Sequence, residues 1–349
     1  MEPIQKRAVS RRQFMRLSAY TAVGAALAAC GGGGAAPAAE APAAEAPAAA
    51  APAAPAASVP QGQYNEAPML TELVQAGSLP PVDERLPTNP GVLPVVEQTG
   101  NYGGTFRRAF RGVSDRWGPT KCQDHGLVWY DENLNLRPHI AESWEINDDA
   151  TEWTFHLRQG MKWSDGAPFT AANVQWWYEN EITNTDLFPA PPADWVTGAE
   201  RTLMQLDVID DYTFKFTFAH PNPLFGYRLA RPTPPPYSPG HHLAQWHMAL
   251  TDDSAGLEEK VAAAGFDSWS SYYLDNRRLW FFNTELPTTA PWLAQNPLSD
   301  EVFLMQRNPY YFAVDADGNQ LPYVDRISHR LFDSTEVFNL WITNGEIDF

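Results

Sequence analysis

His241, His242 and His247 crowd one short stretch of this 349-residue chain and are the first residues to invite a metal reading. A zinc helix presents ligands at i and i+4 on one face. Spacings of five and six do not, so these rings are expected as solvent-facing or capping groups at a loop-to-helix junction, and no metal is expected. Asp315-Ala316-Asp317-Gly318-Asn319 begins like a calcium loop. Its sixth position is Gln320 where glycine is required, and its twelfth is Arg326 where glutamate is required. Asp317-Gly318 therefore reads as the turn of a β-hairpin. The chain has no phosphate-cradling Gly-x-x-x-x-Gly-Lys loop, no Gly-x-Ser-x-Gly elbow and no His-Glu-x-x-His. Acids are plentiful, but no glycosidase-like pair stands out from the rest. Two cysteines, Cys30 and Cys122, cannot build a disulfide framework. Cys122 is expected as a small buried hydrophobe, with Lys121 and His125 nearby in sequence as the only support for a reactive thiol. No cofactor is implied. Aromatic residues are the remaining signal: with 13 Trp, some are core and some can wall a pocket for peptide or sugar.

The elements that must position such groups begin at about Gln61, where the composition turns aromatic and mixed. A glycine-led strand runs through Tyr102–Phe110, and Leu134–Trp144 reads as a loop and short helix ending at the Asp148-Asp149 turn. In Glu152–Arg158, Trp153, Phe155 and Leu157 alternate with polar neighbours, the period-2 pattern of a half-buried strand. Ser164-Asp165-Gly166 is a tight turn. Thr170 caps a helix whose Val174, Trp177, Tyr178 and Ile182 recur at helical spacing. Leu206, Val208 and the acids Asp210-Asp211 open a hairpin whose second strand carries Tyr212, Phe214, Phe216 and Phe218 on one face. Pro232 to Pro239 is a loop, and Leu243–Leu250 and Leu257–Gly265 are helical candidates. The order of elements predicts a mixed α/β domain without internal repeats.

The chain carries 24 basic and 42 acidic residues, a net charge of −18. Phosphate backbones repel such a surface, and the globular part has no Lys/Arg run to offset it, so nucleic-acid binding is not expected. The basic residues that do cluster, Lys6, Arg7, Arg11, Arg12 and Arg16, precede an apolar run from Leu17 to Ala29. That is the n-region and h-region of an export signal, too short and Ala-rich for a permanent span. Ser10–Arg16 resembles the twin-arginine export pattern, and Leu27-Ala28-Ala29-Cys30 resembles a lipobox whose Cys30 thiol takes a diacylglycerol. Gly31–Ala57 contains only Gly, Ala, Pro and Glu and cannot bury enough surface to fold, so it reads as a spacer. The expected organisation is a twin-arginine lipoprotein signal at 1–30, a disordered linker at 31–62 and a solute-binding domain at 63–349.

Several stretches resemble extracellular solute-binding protein family 5 of ABC transporters, the oligopeptide- and dipeptide-binding group. Glu152–Val174 is similar to the family's "T-F-x-L-R-x-G-x-x-[FW]-x-D-G-x-P-[FL]-T-A-x-D-V", with Asn173 in place of the last Asp. His139–Trp144 is similar to "P-x-L-A-x-S-W". Ser238–His247 resembles "S-P-x-H-Y-L-x-x-F-H", and Pro287–Trp292 resembles "P-T-x-G-P-W". Arg307–Phe312 with Asn319–Asp325 resembles "R-N-P-Y-Y-W…G-N-Q-L-P-Y-I-D". The resemblance, which covers Tyr102 to the end, implies an α/β, periplasmic-binding-protein-like (type II) fold. Two lobes would close on a ligand, with an extra subdomain on lobe I. Gly345-Glu346-Ile347-Asp348-Phe349 resembles the family's strand leading into lobe II, so most of lobe II is expected to be missing from this chain.

Function follows from the same resemblance. It implies a substrate-binding component of an ABC importer, extracytoplasmic and held to the membrane by its N-terminal lipid, capturing oligopeptides or a similar small solute for the permease subunits. An oligosaccharide ligand, a sensor role and a secreted hydrolase of peptides or glycans are the alternatives. Placement in lobe I makes two segments ligand-facing candidates: Gly112, Val113 and Ser114 after the first strand, and Thr288, Thr289, Ala290, Pro291 and Trp292 at a cleft edge. For each, ordinary turn or core packing is the competing reading.

Overall fold

Alternating apolar residues make the strands, and the strands make two four-stranded sheets beside smaller two-stranded pairs. The computed structural model describes residues 64–123, 126–230 and 235–348, with Trp117 seen only as backbone. The signal, Cys30 and the linker lie outside the described residues. Eight strands build the main sheets: β1 (Thr105–Phe110), β2 (Ala141–Ile146), β3 (Glu152–Leu157), β4 (Gln205–Asp210), β5 (Thr213–Thr217), β6 (Trp292–Ala294), β7 (Val302–Arg307) and β8 (Arg326–Leu331). The first sheet has the order β2-β3-β5-β4 and is antiparallel throughout. The second has the order β6-β7-β8-β1, antiparallel except for the parallel β8–β1 pair.

On β3 the period-2 pattern does what it should. Trp153, Phe155 and Leu157 are buried, and Phe214 and Phe216 of β5 bury on the same face. Phe155 stacks on Phe214 at 5.5 Å, and Phe216 meets Phe225 edge-on at 5.7 Å. Each such ring contributes about 1.5–3 kcal/mol by leaving water, with a further aromatic increment from its neighbours. This core also takes in α1 (Ala171–Trp177), which lays Val174 and Trp177 against it. Thr170 starts α1 with a full capping box: its hydroxyl accepts from the Ala172 amide, and Asn173 Oδ1 accepts from the Thr170 amide. Tyr178–Ile182 then continues as a single π-helical turn.

The second sheet buries Phe110, Phe303, Met305 and Ile327 in a separate core. A third cluster joins α2 (Ser254–Ala263) and α3 (Trp269–Arg278) around Leu257, Val261 and Tyr273. Beyond β8, α4 (Thr335–Thr343) is capped by Ser334. No helix among the described residues is long and apolar enough to cross a membrane.

The structure corrects the expected elements in three places. Ala141–Ile146, which overlaps the stretch Leu134–Trp144 read as loop and short helix, is strand β2. Its pairing with β3 outweighs the local helical pattern, and a register shift between Ala141 and Ser143 disguises the alternation. Leu243–Leu250 is not one helix: a short helix covers Gly240–Leu243 and a 3-10 turn covers Ala244–Trp246. His247, expected near solvent, is buried among Trp176, Trp269 and Tyr273, with Nε2 3.1 Å from Asn184 Nδ2. Burial pushes its pKa down.

Candidate functional site

One tight turn and one loop border a cavity of mixed lining. The Ser164-Asp165-Gly166 turn needs a positive φ, and Gly166 supplies it at +87°. Ser164 is fastened to the Thr288 segment in both directions: the Ser164 amide donates to Thr288 O, and the Thr288 amide donates to Ser164 Oγ, each at 3.0 Å. Behind them, a cavity of 220 Å³ opens between Asp165, Glu285, Thr288, Trp280, Trp292 and Gln123. Its floor is set by Gln123, only 6% exposed, whose Nε2 donates to Trp292 O at 2.9 Å. Gln123 Oε1 is buried without a hydrogen-bond partner among the described residues. An orphaned carboxamide oxygen of this kind is costly.

At the cavity mouth His241 Nε2 donates to Asp165 Oδ2 at 2.8 Å, while Asp165 Oδ1 accepts the Ala167 amide. His242 has its pKa lowered by burial and by His241, with the carboxylates of Asp165 and Glu285 opposing. The described lining includes both of those acids and no lysine or arginine. The arrangement therefore accepts hydrogen bonds and positive charge.

The expected site residues divide. Thr288 and Trp292 line the cavity. Thr289, Ala290 and Pro291 are buried, and their polar groups are engaged by the protein itself. Thr289 Oγ1 lies 2.9 Å from the Tyr237 hydroxyl, Ala290 O accepts from Asn308 Nδ2, and Pro291 O accepts from the Asn308 amide. Gly112, Val113 and Ser114 sit elsewhere. β1 runs parallel to β8 with Phe110 opposite Leu331, so the turn at Gly112 leaves that end of the sheet. Trp292 opens β6 opposite Arg307, at the other end. The two segments thus occupy opposite ends of one sheet and do not share a cavity. Gly112 itself is held at φ +116° and ψ −177°, with its carbonyl accepting from the Asp115 amide. Gln123, Trp280 and Glu285 were not singled out from the sequence. No periodic or motif signal marks them, because each reaches the cavity through a loop.

The other chemical candidates are internally satisfied. Asp315 spends both oxygens on its own turn, Oδ1 on the Asp317 and Asn319 amides and Oδ2 on Asn319 Nδ2 and the Tyr323 hydroxyl. An antiparallel bridge between Val314 and Gln320 closes that turn as a hairpin. The Cys122 thiol has its pKa pushed up by burial, only partly offset by Arg108. A second cavity, of 180 Å³, lies against Trp177, Trp195 and Phe225 with Glu181 and Arg277 on its wall. Those two charges already neutralise one another.

Comparison with known proteins places the fold. Residues 135–349 match the family described as bacterial extracellular solute-binding proteins, family 5 Middle. The solved structure of an oligopeptide-binding protein OppA superposes with a TM-score of 0.75 at 38% identity, covering 83% of this chain and 45% of that one. A periplasmic binding protein MelB from Agrobacterium fabrum C58, in complex with stachyose, superposes with a TM-score of 0.64 at 25% identity, covering 82% and 44%. The fold is therefore that of the type II periplasmic binding proteins. A periplasmic alpha-galactoside-binding protein of Rhizobium meliloti (strain 1021) is 30% identical over 294 residues, 77% of this chain and 39% of the relative. This chain belongs to the bacterial extracellular solute-binding proteins, family 5, and it spans under half the length of these relatives.

Proposed function

We propose that this chain is the substrate-binding part of an ABC importer, held to the outer face of the cell membrane through a lipid on Cys30. It captures oligopeptides or a similar small solute and presents them to the permease subunits. The 220 Å³ cavity carries the reading. It is lined by Asp165, Glu285, Thr288 and two indoles among apolar side chains, and it is built on a scaffold that superposes on an oligopeptide-binding protein at 38% identity. A binding role rather than catalysis is supported by how the polar groups at its edge are spent. Ser164 Oγ accepts from a backbone amide, and His241 is turned to Asp165. An oligosaccharide ligand is the second reading, favoured by the two tryptophans in the wall and by the 30% identity to an alpha-galactoside-binding protein.

The test is calorimetry on the full chain with tri- to pentapeptides and with raffinose, followed by mass spectrometry of the recovered ligand. Saturable binding of one class with the ligand unchanged is expected. Cleavage of either ligand, or no heat from either class, overturns the proposal.

A further inference from the structure

We infer that a further cavity, walled by Arg137 and Arg158, binds a small oxyanion, a carboxylate or phosphate group. It shares no lining residue with the cavity beside Ser164 and stands independently of the function proposed above.

Three segments meet there. Arg158 follows the end of β3, and the Leu136–Pro138 strand brings Arg137 and leads into His139. Gly91–Val92 pairs in parallel with Ala313–Val314, directly after Phe312. Together with Leu93 they enclose 160 Å³, and the described lining holds both arginines and no acid. Pockets that take a whole small ligand run to roughly 300–1,000 Å³. This one suits a single ionised group.

Arg158 carries the argument. It is 1% exposed, yet it forms no ion pair among the described residues. Its Nε donates to His139 O at 2.7 Å and its Nη1 to Asn89 O at 2.8 Å, and the head lies 5.6 Å from the centre of the Phe312 ring. Those partners are neutral: they use two donors and leave the charge uncompensated, which is costly in a buried site. Nη2 has no partner among the described residues and is not sealed in, so it is the nitrogen left to the cavity. Burial holds the pKa of Arg158 down at about 10, with Glu142 opposing and Arg137 adding to the fall. Glu142 itself is held by Asn89 Nδ2. A second observation is steric. A side chain at position 91 would bring its first carbon within 2.8 Å of the Phe312 ring and 3.6 Å of Arg158 Cζ, so Gly91 keeps the guanidinium uncovered. A buried donor of fixed positive charge, with a second guanidinium in the same wall, selects an anion that accepts hydrogen bonds.

The experiment follows melting of the full chain with inorganic phosphate or acetate, at ionic strength matched with NaCl. Phosphate at about ten times its dissociation constant should raise the melting temperature by about 2–4 °C, and acetate should bind more weakly. Arg158→Met should abolish the rise. Because that change also strands the His139 and Asn89 carbonyls, Leu93→Trp, which fills the cavity and leaves both arginines, is the second variant and should abolish it too. Melting without added anion shows which variants are folded. Selenate, located by its anomalous scattering in a crystal, should lie within hydrogen-bond reach of Arg158 Nη2. Competition with phosphate by Ala-Ala-Ala, but not by its C-terminal amide, would identify the anion as the end of a peptide. No competition by either would identify it as a free ion. A rise that NaCl reproduces, a rise that survives Leu93→Trp, or selenate bound elsewhere means an adventitious ion only and overturns the inference.

Discussion

Glu181 sits in the π-turn after α1 with a side chain only 5% exposed, and its Oε1 accepts three hydrogen bonds at once. The donors are Ser238 Oγ and the Tyr273 hydroxyl, each at 2.7 Å, and Arg277 Nε at 3.1 Å. Arg277 is itself 10% exposed and reaches Tyr237 O through Nη2. The ion pair therefore ties α3 and the 237–238 segment to the helix that closes the aromatic core. Glu181→Gln keeps the shape and one acceptor but removes the charge. Bonds to a charged acceptor are worth about 1.5–3 kcal/mol each and neutral ones about 0.5–1.5. Three such downgrades amount to about 3 kcal/mol, in line with the roughly 3–5 kcal/mol cost of orphaning one member of a buried pair. Arg277→Met removes the stranded cation, so the double variant should be less destabilised than the two single losses combined, with a coupling of about 1–3 kcal/mol. Urea unfolding of the full chain, followed by tryptophan fluorescence, reads both numbers. A loss below about 1 kcal/mol for Glu181→Gln, or simple additivity in the double variant, would refute the claim that this network is desolvated and coupled.

Other consequences are as direct. His329 is fully buried with neither ring nitrogen partnered among the described residues, and burial, then the charge of Arg108, holds its pKa down at about 3. The unfolded chain takes up that proton near pH 6.5, so stability present above this pH should decline by up to about 1.4 kcal/mol per unit down to about pH 3. His329→Phe should flatten that acid limb in urea titrations, and an unchanged slope would count against it. Gly112 holds φ +116° with extended ψ, a region that essentially only glycine enters. Gly112→Ala should cost about 1–3 kcal/mol, visible as a lower melting temperature, and a neutral result would mean the turn has another conformation. If Cys30 carries the lipid, Cys30→Ser should move the protein from the detergent phase to the aqueous phase on membrane partitioning. Retention of the variant in the detergent phase would point to a different anchor.

What the sequence disclosed, and what it hid, follows from where the physics is local. Trp153, Phe155 and Leu157 were legible because a strand half-buried on one face writes its period into neighbouring residues. Thr170 was legible because a cap acts on amides two and three positions away. β2 was not: Ala141 and Trp144 are buried three residues apart, a helical interval, and only the register shift against β3 reconciles them with a strand. α3 escaped for a related reason, since Trp269–Arg278 is polar overall and buries only Tyr273 fully, with Trp269, Tyr272 and Leu274 half-buried around it. The cavity is the extreme case. Thr288, Thr289, Ala290, Pro291 and Trp292 are consecutive, yet only the first and last line it, because a loop has no period to say which residue faces where. That choice is made by partners far away in sequence: Ser164 holds the Thr288 backbone, Tyr237 takes the Thr289 hydroxyl, and Asn308 takes the next two carbonyls. Gln123 completes the wall from 169 positions away. A cavity assembled from such loops is written in side-chain satisfaction rather than in pattern, so a wall residue such as Gln123, fixed there by Trp292 O, is one that no motif could have nominated.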